Sequence, residues 1–361
     1  MSTEHSKRAA KFTADVEKTT WHDATFWSVR QKRDKMAHEL PEWEDLRELA
    51  SEIKMHTITH LADYLDVFSK NLESRGVKVH WAKDAQEFNE IVLGILNDHH
   101  VKKMVKSKSM LTEECEMNPY LEKHGIDVVE TDLGERIIQL LGQKPSHIVM
   151  PAIHLKREEV GKMFEEKGIS KEIGNYDPTY LTRCARHHLR DQFMEAGAGM
   201  TGCNFGVAET GDCVVCTNEG NADMTTSMPK LHIVAMGIEK LVPDYKSLAV
   251  FQRLLCRCGT GQPTTAFTSH FRQARPGAEM HVVLVDNGRS DILADKDHWQ
   301  TLKCMRCGAC MNTCPVYRRS GGYSYTYFIP GPVGVNLGML KNPQKYAYNV
   351  SACTLCLSCD N

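Results

Sequence analysis

The spacing of its cysteines constrains this chain more than any other feature. Seven of its 14 cysteines lie between residues 304 and 359, in two runs with the same internal spacing. The first, LKCMRCGACMNTCPVY, sets Cys304, Cys307, Cys310 and Cys314 in the register C-x2-C-x2-C-x3-C, with Pro315 directly after. This is the ligand run of a bacterial ferredoxin. The second, SACTLCLSCDN, repeats the first three positions at Cys353, Cys356 and Cys359, and a fourth would fall at 363, beyond the sequence.

Three thiolates two residues apart can wrap one face of an iron-sulfur cubane, and thiolate is the soft ligand that such iron prefers. Gly308 and Ala309 are small, so the backbone can approach the inorganic sulfides and donate N–H groups to them. Zinc fits poorly, because its sites bring together two separate C-x2-C knuckles. Disulfides fit poorly too: the start, MSTEHSKRAAKFTADVEK, is charged and lacks an apolar core, so the expectation is a cytoplasmic protein with free thiols. In two-cluster ferredoxins the fourth cysteine of one run ligates the other cluster. The expected sets are therefore Cys314 with Cys353, Cys356 and Cys359, and Cys304 with Cys307 and Cys310, the latter one ligand short. The incomplete set is expected to hold a three-iron form, to take an outside ligand, or to lose its cluster. The other cysteines, including Cys213, Cys216, Cys256 and Cys258, read as small buried hydrophobes.

A length of 361 residues predicts two or three domains, and 42% hydrophobic with 25% charged residues suits a sizeable core. A net charge of -2 argues against nucleic acid, and no apolar run approaches the ~18 residues of a membrane span. Residues 1–75 read as helical, with Leu46, Leu49, Ala50, Ile53, Ile58, Leu61, Leu65 and Phe68 at the spacing of one buried face. From 76 to about 295, β-like runs (VKVHWA, KKMVKSKSM, IDVVETD, SHIVMPA, then FGVAETGDCVVCTN, LHIVAMG and MHVVLVDNG) alternate with helical ones. That alternation predicts an α/β domain with an open, mainly parallel sheet. Residues 296–361 form the cysteine module. Gly197, Gly199 and Gly202 match G-x-G-x-x-G, but a helix precedes them and a strand follows, so they read as a helix-to-strand turn rather than a dinucleotide loop.

The runs VKSKSMLTEE, VETDLGERIIQLLGQKPSHIVMPAIH, FGVAETGD, VDNGRSDILAD and LKCMRCGACMNTCPVYRRSGGY together resemble the lactate-utilisation protein B family. The resemblance implies the iron-sulfur subunit of a multi-protein bacterial system that oxidises L-lactate to pyruvate. It also implies a lactate-utilisation domain similar to ribose-phosphate isomerase and CoA-transferase proteins, followed by an α-helical ferredoxin module with two 4Fe-4S clusters. Against that family the chain reads as lacking its C-terminal part. The implied partners are the other subunits of the system and an electron donor or acceptor protein or a quinone-linked chain.

In an open parallel sheet, ligands bind at the carboxyl ends of strands, which directs attention to Ser107, Lys108 and Ser109, to Glu130 and Asp132, and to Glu209, Thr210 and Gly211. Lys108 with its hydroxyl neighbours could hold a carboxylate or phosphate, and the acids could anchor a ligand or move protons. The plainer reading of these residues is helix capping. Catalytic residues are not identifiable. His147 and His154 read as packing residues, and Arg289, Arg306, Arg318 and Arg319, around the first cysteine run, as charges that favour the reduced cluster or dock a partner. The rival readings are an enzyme acting directly on a small carboxylate or acyl substrate and a redox sensor without turnover.

Overall fold

The computed structural model describes residues 3–359. Its strands are β1 (Lys78–Ala82), β2 (Lys103–Lys106), β3 (Asp127–Glu130), β4 (Ala198–Gly202), β5 (Phe205–Val207), β6 (Asp212–Thr217), β7 (Leu231–Gly237), β8 (Leu241–Val242), β9 (Phe267–Phe271) and β10 (Glu279–Val285). Six of them form a sheet in the order β1-β10-β7-β4-β2-β3, every neighbouring pair parallel. The other four form a smaller sheet, β8-β5-β6-β9, in which β5 pairs antiparallel with β6 and β6 with β9.

A parallel sheet covered on both faces needs strands apolar on both faces, and LHIVAMG of β7 is buried throughout. Along β10 the side chains alternate. Val283 and Val285 pack with Phe88, Val92, Ile95 and Leu96 of the helix Ala85–Asp98, while Val282 and Leu284 pack with Leu65, Phe68 and Leu72 of the helix Leu61–Glu73. Asp84 starts the first of these helices by accepting the Glu87 N–H at 2.9 Å. The product is an α/β fold with helices on both faces and a C-terminal region of short helices that carries the cysteines.

The N-terminal helices tie these parts together. Val16–His38 packs against Tyr245–Thr260 of the α/β domain and against Ala309–Thr313 and Pro315–Ser320 beside the first cysteine run. Its buried Phe26 meets Tyr317 edge-on, ring centroids 5.2 Å apart, and lies 5.5 Å from His147. The face expected from Leu46 to Phe68 is divided at His60 into the helices Trp43–Thr59 and Leu61–Glu73, and Leu49 is exposed.

Two expectations are corrected. SHIVMPA is no strand; it is a turn in which the His147 ring accepts the backbone N–H groups of Val149 and Met150, each at 3.0 Å. Its apolar side chains pack on the cysteine module rather than on a sheet neighbour. GAGMTG is no turn either, since Ala198–Gly202 is the buried strand β4 between β7 and β2. Its glycine has a packing role: a Cβ on Gly199 would lie 1.8 Å from the Thr225 carbonyl oxygen. Among the described residues no helix is long and apolar enough to cross a membrane.

Candidate iron-sulfur centre and adjoining cavity

The two cysteine runs share a backbone shape. Arg306 and Leu355, each the second residue between the first two cysteines of its run, have φ of 65° and 55°. Gly308 and Leu357, each the first residue of the next gap, have φ of 79° and 59°. Left-handed backbone is uncommon for non-glycine residues, and such strain marks functional positions. In both runs it turns the same amide inward: Arg306 N–H donates to Cys304 Sγ and Leu355 N–H to Cys353 Sγ, both at 3.4 Å. Cys314 differs, since it caps the helix Pro315–Ser320, its sulfur accepting the Tyr317 N–H at 3.5 Å.

Cys304, Cys307 and Cys310 line a recess of about 250 Å³ together with Cys258 and Cys359. Arg30, Arg33 and Arg47 of the N-terminal helices line it too, as does Arg306. Positive charge around thiolates suits a cluster that becomes more anionic on reduction. Cys314 lies within electrostatic range of Cys353, Cys356 and Cys359. The donor set, the inward amides and the surrounding cations fit an iron-sulfur group. Cys258, read from sequence as a small buried hydrophobe, lies beside Cys307 in this recess.

The arginines expected around the first run are mostly occupied elsewhere. Arg289 is buried between Glu239, whose Oε2 accepts from its Nε at 2.5 Å, and Glu114, bound through two contacts at 2.9 and 3.1 Å. Burial opposes ionisation of Glu239, but Arg289 outweighs it and holds the carboxyl down at about 2. Arg318 pairs with Asp23 at 2.7 Å and stacks over Trp27, and Arg319 reaches the same aspartate at 3.6 Å. His147 and His154 are hydrogen-bonded packing residues, to Asn312 at 3.1 Å and to Ser146 at 2.7 Å, and burial pushes them down to about 3 and about 4.

A second cavity, of about 390 Å³, opens at the carboxyl ends of β2, β4 and β7 and shares Arg306 and Cys307 with the cysteine recess. Ser107, Lys108, Ser109 and Asp132 line it, along with Glu219 and Lys240, which the sequence did not single out. Ser109 and Asp132 also cap helices, accepting from Thr112 N–H at 3.4 Å and Glu135 N–H at 3.0 Å. Lys108 donates to the Val149 carbonyl at 2.6 Å.

Glu130 does not reach the cavity. It turns beneath the strand end to an ion pair with buried Lys106 at 2.7 Å. Glu209, Thr210 and Gly211 are also elsewhere, in the β5–β6 turn, where Asn71 donates to the Ala208 and Glu209 carbonyls and Arg75 to that of Thr210. Three donors in the cavity lack partners. Ser107 Oγ and Arg306 Nη1 are buried with no hydrogen bond, and Lys240 makes no side-chain hydrogen bond or ion pair among the described residues. Burial pushes the Lys240 ammonium pKa down, and burial with nearby Asp132 pushes Glu219 up to about 7.

The fold and the paired loops define an iron-sulfur protein in which a cysteine module is joined to a parallel α/β domain. The LUD domain profile matches residues 65–290, and that of the 4Fe-4S dicluster domain matches residues 300–361. Over 340 residues the chain is 42% identical to Lactate utilization protein B of Macrococcus caseolyticus, covering 92% of this chain and 70% of that one. It is 44% identical over 336 residues to Lactate utilization protein B of Bacillus pumilus, covering 91% and 70%. The chain belongs to the lactate utilization protein B family, and its cofactor is of the iron-sulfur type. A DUF162 family protein from Deinococcus radiodurans aligns over 62% of this chain and 98% of its own at 13% identity, with a TM-score of 0.36.

Proposed function

We propose that the chain is the electron-transfer subunit of a multi-protein system that oxidises L-lactate to pyruvate, with two 4Fe-4S clusters as the relay. The observation that carries this reading is the repeated left-handed turn in both cysteine runs, with its inward amide. Cys314, Cys353, Cys356 and Cys359 hold one cluster; Cys304, Cys307 and Cys310 supply the protein thiolates of the other. When bound, each cluster accepts and passes on one electron at a time. Oxidation of lactate releases two electrons and two protons, so two centres in one chain suit the stoichiometry. The residues of this chain tune the relay: Arg30, Arg33 and Arg47 stabilise added negative charge at the first centre, and the Arg306 and Leu355 amides donate to cysteine sulfur. The partners are the other subunits and an electron carrier or quinone-linked chain, and the expected compartment is the cytoplasm. The test is anaerobic mixing of the oxidised protein with its partner subunits and L-lactate. Bleaching of the cluster absorbance supports the reading, and clusters reducible only by dithionite refute it.

The unpartnered Ser107, Arg306 and Lys240 favour a second reading, in which the α/β domain itself holds a small carboxylate beside the first centre. Lys240 and Arg306 neutralise the acid group, Ser107 donates to it, and Glu219 is poised to exchange a proton. Turnover of L-lactate by the isolated protein with an artificial acceptor, lost in Lys240→Met, distinguishes this reading from a pure relay.

A further inference from the structure

At the end of the parallel sheet opposite the cysteines, β10 and the segment after the helix Ala85–Asp98 bring three metal-ligand side chains together. The donor atoms of His99, Glu279 and His281 all lie within 4.8 Å of one another. One carboxylate oxygen, Glu279 Oε1, organises them: His281 Nε2 lies 2.6 Å from it and His99 Nε2 3.2 Å. We propose that these three residues form a divalent transition-metal site of the zinc class, completed by water. It is independent of the redox reading above.

Two histidines and one carboxylate are a tetrahedral zinc set with one open position, and bonds of about 2.0–2.2 Å place neighbouring donors roughly 3.3 Å apart. The observed separations from Glu279 Oε1 need only small side-chain shifts. The same oxygen accepts from the Lys78 ammonium at 2.5 Å, so a cation already stands where a metal would. Lys78 is more than half-exposed and free to swing into solvent, whereas His281 is buried and fixed. His80 fixes it: its Nε2 lies 2.9 Å from His281 Nδ1, and the two rings are parallel, interplanar angle 4°. With metal on Nε2, His281 Nδ1–H donates to His80, the outer hydrogen bond that orients most metal-bound histidines. His99 and Glu279 are each about one-third exposed, which leaves an entry path.

The cluster-loaded protein, kept anaerobic so that its cysteines stay occupied, is dialysed against micromolar zinc and examined by zinc K-edge absorption. The expected result is one zinc per chain with nitrogen and oxygen neighbours only. H99Q and E279Q should each weaken binding at least tenfold, and H80F about 10- to 100-fold. K78M should tighten it several-fold, because the competing ammonium is gone. Exposed His99 makes H99Q a safe variant for folding. Absence of bound zinc, sulfur neighbours at about 2.3 Å, binding indifferent to H99Q and E279Q, or no tightening in K78M would each overturn the proposal.

Discussion

Replacing Arg289 by methionine should expose how much the ends of β7 and β10 depend on one buried cation. Arg289 and Glu239 are almost wholly buried, and Glu114 nearly so, with four guanidinium contacts, three to carboxylate oxygens and one to the Asp286 carbonyl, lost if the guanidinium is removed. Methionine fills much of the volume, so the loss is electrostatic: Glu239 and Glu114 lose the guanidinium between them, and only Lys341, 3.6 Å from Glu114, remains as an ion-pair partner. Breaking a buried pair from one side costs about 3–5 kcal/mol. With a urea slope near the upper end of the usual range, about 3 kcal/mol per M, the unfolding midpoint should fall by roughly 1–1.7 M. The pH dependence carries the diagnosis. In the native protein the Glu239 pKa is depressed to about 2, so its contribution is complete above the unfolded carboxyl pKa and is lost as pH falls toward 2. In R289M the largest opposing charge is gone and burial is countered only by the weaker influence of Lys240 and Arg306, so the carboxyl pKa should rise and the variant's deficit should shrink as pH falls from 7 to 5. Urea titrations followed by tryptophan fluorescence, with R289K as the charge-conserving control, measure this. A shift below about 0.3 M, or a deficit constant with pH, would refute the reasoning.

Other consequences are as specific. G199A forces a methyl against the Thr225 carbonyl in the central strand and should cost about 1–3 kcal/mol or abolish soluble expression, while G94A, in the helix Ala85–Asp98 where a Cβ meets nothing, should be far milder; thermal melts compare them. Burial pushes buried Lys54 down to about 8 from 10.5, so between those values the unfolded chain binds more protons and stability should rise with pH; the rise should vanish in K54M. Arg33→Gln removes positive charge from the cysteine recess and should make the first centre harder to reduce, read as a more negative midpoint in a redox titration that leaves the other centre unmoved.

The chemistry was legible where it is local. C-x2-C-x2-C fixes a loop by itself, and the alternating apolar runs of residues 76–285 fix a parallel sheet because both faces need covering. What escaped the sequence depends on strand order and on which helices return to the site. Glu209, Thr210 and Gly211 follow a strand, as Ser107 does, yet β5 belongs to the second sheet and its turn is held by Asn71 and Arg75. Glu130 ends a strand of the right sheet, but burial beside Lys106 turned it inward. Arg30, Arg33 and Arg47 lie far from the cysteines in sequence, and only the N-terminal helices, which bridge both parts, bring them to the recess. GAGMTG offered a signal that was there to be read: small or apolar uncharged residues throughout, with a long helix before it, suit a buried strand as well as a turn. Lys240 gave none, since a lysine after LHIVAMGIE differs in no local way from a surface lysine.

The central claim is that the two cysteine runs hold two distinct iron-sulfur centres. Anaerobic iron and sulfide analysis with electron paramagnetic resonance, before and after dithionite, tests it on the native protein beside Cys310→Ser and Cys356→Ser. The account predicts two sets of signals in the native protein, with Cys310→Ser removing one set and Cys356→Ser the other, and iron falling in each variant. Loss of the same signals in both variants, or a protein that carries zinc in place of iron at these cysteines, would contradict it.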